Sequence, residues 1–431
     1  MYRKITQKLE QWKESPHRKP LILQGARQVG KTYSVLAFGR THYENVAYFN
    51  FESDPTLCEL FSGRIDPDYL LPLLAAASRQ TIVEEKTLIF FDEIQVCERA
   101  LTSLKYFCEQ APAYHIIVAG SLLGIAVNRH AFSFPVGKVD FLTMYPMDMK
   151  EFFLAMGDAF YVDQIKACFV NNTPMPAPLH EQALQRYRQY LLVGGMPECV
   201  LQFAATEDHL LIRTLQDNIL TSYLNDMSKY NRDNEIKKTR LTYNSITTQL
   251  SQKNTRFRYK LVKKGGRASE LENAIEWLVL SGIVSRVYAV EQIMKPLNNY
   301  INIDDFKIYM SDVGLLAAKN KLIVDDVLLP NNDLQPFKGG MVENYVQVQL
   351  VANGYDTYYW HSSSEAEVDF ILQREGQIIP IEVKSADNTR AKSLNTYIKR
   401  YHPDYAIKIS TKNFSLEDGK KTVPLYAAFC I

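Results

Sequence analysis

The chain has 431 residues, 46% of them apolar, and a formal net charge of +1. This length exceeds that of one ordinary domain, and we therefore expect two or three globular domains. The balanced charge excludes a protein that binds nucleic acid with its whole surface, although a local basic patch stays open. The six cysteines are scattered, which favours neither a zinc knuckle nor a disulfide framework and fits a reducing cytoplasm. A polar N-terminus without a long apolar run predicts a cytoplasmic protein that makes no membrane contact.

Residues 1–147 alternate strand-like apolar runs with longer helical stretches. Several runs are apolar at consecutive positions, as is typical of strands that are covered on both faces. The runs are PLILQGA, NVAYFNFE, TLIFFDEI, HIIVAGS and KVDFLTMYP. We therefore predict an α/β domain over residues 1–147, with a parallel sheet sandwiched by helices.

A phosphate-binding loop follows the first run. The segment GARQVGKT, residues 25–32, fits the pattern G-x-x-x-x-G-K-[ST] in full and stands between a strand and a helix. Such a loop turns its backbone N–H groups towards phosphates, while Lys31 reaches the outer phosphates and Thr32 places its hydroxyl on Mg²⁺. The predicted ATP contacts are Gly25, Ala26, Arg27, Gln28, Val29, Gly30, Lys31, Thr32 and Tyr33.

An acidic pair ends the third run. Asp92 and Glu93 follow four apolar residues, so both carboxylates emerge at the tip of a buried strand. We predict that Asp92 holds hydrated magnesium and that Glu93 polarises the water that attacks the γ-phosphate, with Lys31 as the catalytic cation. Ser121, which ends the fourth run, is either a polar sensor of the γ-phosphate or the N-cap of the next helix.

Four segments of the sequence resemble a known family. They are LILQGARQVGKT, LIFFDEIQ, IIVAGSLLG and YLLVGGMPE. Over nearly its whole length the sequence is similar to bacterial and archaeal AAA-type ATPases that carry a C-terminal domain of unassigned function. The resemblance implies an ATP-binding AAA-like core and a winged-helix-like region, and an oligomer stays open because AAA-type sites often lie between subunits. At Gly137-Lys138 the family usually has Gly-Arg, and a lysine lacks the planar fork of an arginine finger.

Residues 148–227 are predicted to be mostly helical, and we interpret them as a helical lid or linker. The run HEQALQRYRQYLLVGG ends in glycines that suit a helix C-cap. Over residues 228–330, two helices separated by a polar loop precede a β-ribbon, which is the order of a winged helix. Its expected core comprises Ala274, Leu278, Leu280, Ile283 and Val284.

The most basic stretch lies between those two helices. The segment KNTRFRYKLVKKGGR, residues 253–267, holds seven lysines or arginines and no acid, with two aromatic residues interleaved. Each cation can neutralise a DNA phosphate and release a counterion, which gives affinity without sequence choice. A solvated loop and a contact to an acidic protein partner are the alternatives. The predicted DNA contacts are Arg256, Arg258, Lys260, Lys263, Lys264 and Arg267.

Residues 331–431 are predicted to contain a helix, a β-hairpin and a final helix. The hairpin EVDFILQREGQIIPIEVKS, residues 367–385, carries Asp369 on its first strand and Glu382 and Lys384 on its second. Glu343 lies beside the apolar stripe of the preceding helix. By composition alone, Glu382 and Lys384 are also compatible with the solvated face of an ordinary strand.

The order of these elements resembles the PD-(D/E)XK nuclease fold, although Val368 stands where the nominal motif has proline. The resemblance implies that Glu343, Asp369 and Glu382 bind Mg²⁺. It also implies that Lys384 is catalytic, because the family lysine stabilises or activates the attacking water. A member of the fold that only binds its partner and has lost cleavage would show the same pattern.

The predicted fold class is therefore α/β. It combines a parallel-sheet P-loop core of AAA-like type, a helical lid, a winged-helix region and a C-terminal α/β nuclease-like domain. The predicted function is Mg²⁺-dependent binding and hydrolysis of ATP on or near DNA. Metal-dependent cleavage of DNA by the C-terminal domain is a further activity that the sequence neither requires nor excludes. Two alternatives remain, a nucleotide-operated switch that binds protein or DNA partners without cleavage and a transcription regulator that uses the winged helix alone.

Overall fold

The structure, a computed structural model, describes residues 1–121, 135–230, 233–252, 254–328, 335–362, 366–385 and 392–431. These residues divide into two compact units. The N-terminal unit comprises residues 2–145 with 280–282, and the C-terminal unit comprises residues 146–279 and 283–431. Within the described ranges, no helix combines the length and the apolar character that crossing a membrane requires.

The N-terminal unit alternates strands and helices, as its sequence predicts. Its described strands are β1 (Leu21–Gly25), β2 (Asn45–Asn50), β3 (Thr87–Asp92), β4 (His115–Ser121) and β5 (Asp140–Thr143). Its described helices are α1 (Lys4–Glu14), α2 (Lys31–His42), α3 (Pro67–Ser78) and α4 (Glu98–Gln110). Short 3-10 helices cover Pro55–Phe61 and Ile94–Val96.

The strands described in this unit form one sheet in the order β2-β3-β4-β1-β5, and every neighbouring pair is parallel. The predicted parallel sheet is confirmed. Parallel strands end at a common edge, so Gly25 of β1, Asp92 of β3 and Ser121 of β4 all lie at the carboxyl edge of the sheet. The sheet therefore brings the phosphate-binding loop and the acidic pair to the same side.

An apolar core anchors this edge. Every residue of β3 is buried, and the strand packs among side chains of β2, β4, α3 and α4. The core includes Phe49, Leu74, Phe91, Leu104, Phe107 and Val118. Burying each such side chain contributes about 1.5–3 kcal/mol, which holds the ends of the strands in place beneath the loop.

The C-terminal unit begins with helices, as predicted for residues 148–227. These are α5 (Met149–Ala155), α6 (Ala159–Asn171), α7 (Ala177–Val193), α8 (Pro197–Thr206) and α9 (His209–Tyr230). The next elements are α10 (Asp233–Leu250), α11 (Tyr259–Val262), α12 (Ala268–Leu280), β6 (Val284–Val290), β7 (Ile301–Met310), α13 (Val313–Lys319) and α14 (Val324–Leu328). The last elements are α15 (Gln335–Ala352), β8 (Thr357–His361), β9 (Glu367–Arg374), β10 (Gln377–Val383), α16 (Lys392–Tyr401), β11 (Ala406–Ser410), β12 (Ser415–Glu417) and β13 (Lys420–Pro424).

The strands described in the C-terminal unit form a single sheet in the order β12-β13-β11-β10-β9-β8-β6-β7. The β-ribbon expected within residues 228–330 is β6 and β7, and β6 also pairs in parallel with β8. Apart from residues 280–282, the segments 148–227, 228–330 and 331–431 lie in one compact unit, and the domain boundaries between them stay predictions. The ribbon joins the larger sheet because β8 satisfies the open backbone edge of a two-stranded ribbon, which is marginal alone.

The GGMP segment has a packing role in this unit. Asp312 is fully buried, and its Oδ2 accepts a hydrogen bond from the backbone N–H of Gly195 at 2.6 Å. A Cβ on Gly194 would lie 2.3 Å from Asp312 Oδ1, and one on Gly195 would lie 2.0 Å from the backbone oxygen of Met147. Both glycines are thus required by close approach.

Candidate functional site

The loop between β1 and α2 has the backbone that its glycines allow. Gly25 and Gly30 have positive φ angles of 153° and 89°. A Cβ on Gly25 would lie 2.2 Å from the backbone oxygen of Met144. Gly30 is the N-cap of α2, so the loop ends at the N-terminus of that helix, where the helix dipole is positive and favours a bound anion.

Lys31 lies at the start of α2 and is buried. Its Nζ donates to the backbone oxygen of Gly25 at 3.0 Å and to that of Ala26 at 2.9 Å. Burial lowers the pKa of Lys31 to about 8, although the charges of Glu93 and Asp92 oppose this shift. The ammonium therefore points into the loop, where a phosphate could replace the two carbonyl oxygens as the stronger acceptor.

Asp92 connects three elements of the N-terminal unit. Its Oδ2 accepts hydrogen bonds from Thr32 Oγ1 at 2.8 Å and from the Tyr48 hydroxyl at 3.1 Å. Its Oδ1 accepts a bond from the backbone N–H of Glu93 at 3.1 Å. Thr32 and Asp92 are the residues that would hold Mg²⁺, and their hydroxyl and carboxylate oxygens suit this hard cation.

Glu93 follows β3 with a left-handed φ of 53°, which is rare for a residue with a side chain. Its Oε2 accepts a hydrogen bond from Gln95 Nε2, and its carboxylate lies close enough to Lys31 to affect the pKa of that lysine. Strained backbone of this kind is often retained at functional sites. Gln95 thus orients the carboxylate that the sequence assigns to water activation.

The remaining residues predicted for this site are distributed around it. Ala26 and Val29 are buried in the loop, Gln28 has a φ of 65°, and Tyr33 is exposed at the first turn of α2. Arg27 Nη2 lies 4.0 Å from Glu52 Oε1. The backbone of Ser121 pairs with Gly25, but the side chain of Ser121 lies outside the described residues.

A second group of charges lies in the C-terminal unit, on β9 and β10. Asp369 Oδ2 accepts a hydrogen bond from the backbone N–H of Val383 at 2.7 Å, which ties its carboxylate to the strand that bears Glu382. Glu382 is only 2% exposed, its Oε1 pairs with Lys384 Nζ, and its Oε2 has no hydrogen-bond partner among the described residues. The hairpin is therefore not an ordinary strand with a solvated face, because its central acid is buried.

The two carboxylates of this hairpin influence each other. Burial, followed by the charges of Glu343 and Glu382, raises the pKa of Asp369 well above its ordinary value. Burial also raises the pKa of Glu382, although the Lys384 ammonium opposes that shift. Crowded carboxylates of this kind favour a cation or a proton between them.

Glu343 of α15 is placed differently from the sequence prediction. Its Oε2 accepts hydrogen bonds from Thr255 Oγ1 at 3.2 Å and from the Tyr309 hydroxyl at 3.0 Å, and it lies 3.5 Å from Lys307 Nζ. Across the described part of the chain, no three His, Cys, Asp or Glu side chains are arranged to hold a metal ion together. Glu343 is nevertheless close enough to affect the pKa of Asp369. The binding of one ion by Glu343, Asp369 and Glu382 together stays a prediction.

The basic loop contacts this group of charges. Arg256 Nη1 lies 3.5 Å from Asp305 Oδ2, and its Nε lies 3.7 Å from Glu367 Oε2. The backbone N–H of Phe257 donates to the oxygen of Phe306 in β7 at 2.8 Å. Arg256 is thus paired with acids of its own chain, and its contact to DNA stays a prediction.

The other predicted contacts of the loop are more open. Lys260, Lys263, Lys264 and Arg267 are exposed, while Arg258 is partly buried. Lys263 pairs with Glu270 at 2.9 Å. These five residues stay predictions for DNA contact, whereas Lys253, which starts the basic stretch, lies outside the described residues.

Residues 17–153 match the AAA domain family. This segment contains the parallel sheet, the complete phosphate-binding loop and the Asp92-Glu93 pair. The segment thus has a parallel-sheet P-loop core and is similar to AAA-type ATPase domains. Residues 184–325 and residues 338–428 match two domains of unknown function, DUF8612 and DUF4143. No curated protein matches the chain.

Three solved structures are similar to this chain at low identity. A Walker-type ATPase of Pyrococcus abyssi is 14% identical over 73% of this chain and 94% of its own, with a TM-score of 0.41. The ORC1 protein of Aeropyrum pernix, solved in complex with DNA, is 11% identical over 74% and 90%, with a TM-score of 0.28. Cdc6p of Pyrobaculum aerophilum is 14% identical over 75% and 94%, with a TM-score of 0.24.

Two residues of the N-terminal unit contact the site without a sequence signal. Arg3 is buried, and its guanidinium donates to the backbone oxygen of Val29 at 3.0 Å and to that of Tyr145 at 2.7 Å. Tyr48 of β2 donates to Asp92, as described above. Neither lies in a motif, and an arginine in an N-terminal helix pattern reads as a solvated cation. Lys138, at the family's arginine position, pairs with Glu109 at 2.9 Å.

Proposed function

We propose that the AAA domain binds ATP with Mg²⁺ and hydrolyses it. The observation that carries this proposal is the hydrogen bond between Thr32 and Asp92 at 2.8 Å, next to a buried Lys31 that points into the loop. The two residues that would share a magnesium ion are thus already in contact, and the phosphate-binding ammonium lies beside them. Such preorganisation is what phosphoryl transfer requires of a protein.

Each residue has a distinct role in this proposal. Backbone N–H groups of the loop and the N-terminus of α2 bind the phosphates, and Lys31 donates to their outer oxygens. Thr32 and Asp92 hold Mg²⁺, which when bound neutralises developing phosphate charge. Glu93, oriented by Gln95, positions the attacking water and accepts its proton. Ser121 remains the proposed sensor of the γ-phosphate at the same edge.

Phosphate release tests this proposal. The full-length chain should release phosphate from ATP in Mg²⁺ but not in EDTA, and Lys31→Ala should abolish both nucleotide binding and release. The matched control is Lys105→Ala, which removes an exposed lysine of α4. Turnover that persists in Lys31→Ala would remove the AAA domain as the source of the activity.

We also propose that the C-terminal unit acts on DNA as a nuclease-like module. The observation that favours this second function is the buried Glu382 Oε2, which has no hydrogen-bond partner among the residues that the structure describes and lies beside the crowded Asp369 carboxylate. Asp369 and Glu382 would hold a divalent cation, because Mg²⁺ often binds one or two carboxylates and completes its shell with water and phosphate oxygens. That cation would supply charge neutralisation at the scissile phosphate, and Lys384 would stabilise the attacking water.

The basic loop supports DNA as the partner, because Thr255 and Arg256 connect it to the neighbouring acids Glu343 and Glu367, and exposed cations follow in the loop. Labelled duplex, single-stranded and branched DNA should be bound by the chain, and nicking in Mg²⁺ should be lost in Lys384→Ala without loss of DNA binding. Binding without nicking would favour a nucleotide-operated switch. A winged-helix regulator would instead show sequence-specific binding that ATP does not affect. We place either activity in the cytoplasm and keep a protein partner or an oligomer as part of the proposal.

A further inference from the structure

A buried lysine that no motif predicts lies among the acids of the C-terminal unit. Lys307 belongs to β7, and its side chain is fully buried. Its Nζ lies 2.6 Å from Glu367 Oε1 and 3.5 Å from Glu343 Oε2. It also lies 5.0 Å from the centre of the Tyr359 ring. Because an unpaired buried ammonium is very costly, these two carboxylates hold the charge of Lys307 in place.

The acids around this lysine fall into two pairs. Glu343 and Glu367 both contact Lys307, and Thr255 and Tyr309 also bind Glu343 Oε2. Asp369 and Glu382 lie in the hairpin, where Lys384 is the contacting cation and Glu382 Oε2 remains without a partner in the described part of the chain. The first pair is thus bonded by Lys307 and by neutral protein donors, whereas the second keeps a buried oxygen without such a donor in the described part of the chain.

The formal charge of the whole cluster limits how many divalent ions it can hold. With all four acids ionised, Glu343, Glu367, Asp369 and Glu382 contribute four negative charges, and Lys307 and Lys384 contribute two positive charges. The neighbouring Arg256 lies near both Glu367 and Asp305, and because Arg256 and Asp305 carry opposite charges, counting both leaves this balance unchanged. The remaining charge of two equals that of one divalent cation, whereas two such ions would leave the buried cluster with an excess of positive charge.

We propose that Lys307 serves as a fixed cation of this cluster. It pairs with Glu343 and Glu367, and it thereby restricts the site to one divalent ion, which Asp369 and Glu382 hold. This inference rests on the nuclease-like function proposed above. Lys307 acts through the acids that it holds, and it is a positioning residue. In agreement with this arrangement, no three-carboxylate group that could hold a metal ion is found among the described side chains, and Glu343 lies 3.5 Å from Lys307.

Binding of Mn²⁺ to the full-length chain without nucleotide tests this role, with free Mn²⁺ counted by electron paramagnetic resonance. An Asp92→Asn background removes the contribution of the AAA domain. We expect one ion, lost in Asp369→Asn and retained within about threefold in Glu343→Gln, because only the former is a ligand. Lys307→Met should bind Mn²⁺ at least about ten-fold more tightly or take up a second ion, because one positive charge is gone.

Two further variants keep the test decisive if Lys307→Met does not fold. Lys307→Arg should behave as the wild type, because it restores the charge. The double variant Lys307→Met with Glu367→Gln removes two opposite charges, so it should bind one Mn²⁺ ion with about wild-type affinity. In this double variant Glu343 no longer pairs with Lys307 and can contact the ion, so a further Glu343→Gln change should weaken Mn²⁺ binding about ten-fold. Near-ultraviolet circular dichroism confirms that each variant is folded.

The outcomes separate this inference from the function on which it rests. Loss of Mn²⁺ in both Asp369→Asn and Glu343→Gln would keep the metal site and overturn the role of Lys307. Binding that occurs only without Lys307 would show that the lysine replaces the ion altogether, which also overturns the proposed stoichiometry. No binding by the wild type or any variant would remove the metal site itself, and with it the role of Lys307.

Discussion

The buried Arg3 should determine the affinity of the AAA domain for ATP, although it touches no nucleotide. In Arg3→Met the backbone oxygens of Val29 and Tyr145 lose hydrogen bonds of 3.0 and 2.7 Å. Hydrogen bonds from charged donors contribute roughly 1.5–3 kcal/mol each, and burial of the guanidinium offsets part of that gain. We expect a net loss of about 2–4 kcal/mol, part of which falls on the loop that binds phosphate.

Nucleotide titration and urea unfolding, measured on the same preparations, test this expectation. If about 1.4 kcal/mol of the loss is the cost of ordering the loop, the Kd for ATP rises about ten-fold. The matched control is Arg18→Met, since Arg18 also donates to two backbone oxygens, those of Lys13 and Pro112, away from the loop. An Arg3→Met protein that is less stable but binds ATP as tightly as the wild type would refute the reasoning, as would an equal effect of Arg18→Met.

Three further predictions follow from other parts of the structure. Gly25→Ala should lower the free energy of unfolding by at least about 3 kcal/mol and abolish ATP binding, because its Cβ would lie 2.2 Å from a backbone oxygen. Gly137→Ala, whose Cβ would have no atom within 4 Å, should cost only about 1 kcal/mol. Similar losses of stability in the two variants would contradict this prediction. Burial and the nearby Arg18 and Lys13 charges lower the pKa of His115 from 6.5 to about 4. As pH falls, the imidazole of His115 is therefore protonated in the unfolded chain before it is protonated in the folded chain, which lowers the stability of the fold. Between pH 7 and pH 5, the free energy of unfolding of the wild type, measured with urea, should fall by up to about 2 kcal/mol more than that of His115→Gln. Equal losses of stability in the two proteins would contradict the assignment. Neutralising three exposed cations of the basic loop should weaken binding to all DNA sequences alike, and it should lower the slope of log affinity against log salt concentration by about three. Neutralising three cations of α16 should leave both quantities unchanged. A salt titration that is the same for the loop variant and the wild type would indicate that the loop is a solvated or protein-contacting segment. The loop residues are Lys263, Lys264 and Arg267, and the α16 residues are Lys392, Lys399 and Arg400.

The nucleotide site could be predicted from sequence because its parts are local. The loop from Gly25 to Thr32 is recognisable from its glycine pattern, and the continuous apolar run of β3 predicts that this strand is buried. The parallel sheet order then brings Asp92 to the same edge. Arg3 could not be predicted, because its acceptors lie 26 and 142 residues away and depend on tertiary packing.

The C-terminal cluster could be predicted only in part. The predicted hairpin is present as β9 and β10, since alternation along the two strands is a local signal. Lys307 escaped prediction because a lysine in a ribbon strand is usually exposed, and its burial depends on β6 pairing with β8 and on Glu343 arriving from α15. The same long-range pairing explains why the β6–β7 ribbon and the strands β8 to β13 share one sheet.

The central claim is that Glu93 activates water for ATP hydrolysis while Asp92, Thr32 and Lys31 bind the nucleotide and its ion. It is tested most directly by measuring ATP binding and phosphate release in the same samples of wild type and Glu93→Gln. We expect equal ATP affinity within about threefold and a fall in release of at least about 100-fold, because the amide keeps the shape of the side chain but cannot accept the proton. Equal phosphate release by the two proteins would contradict the account.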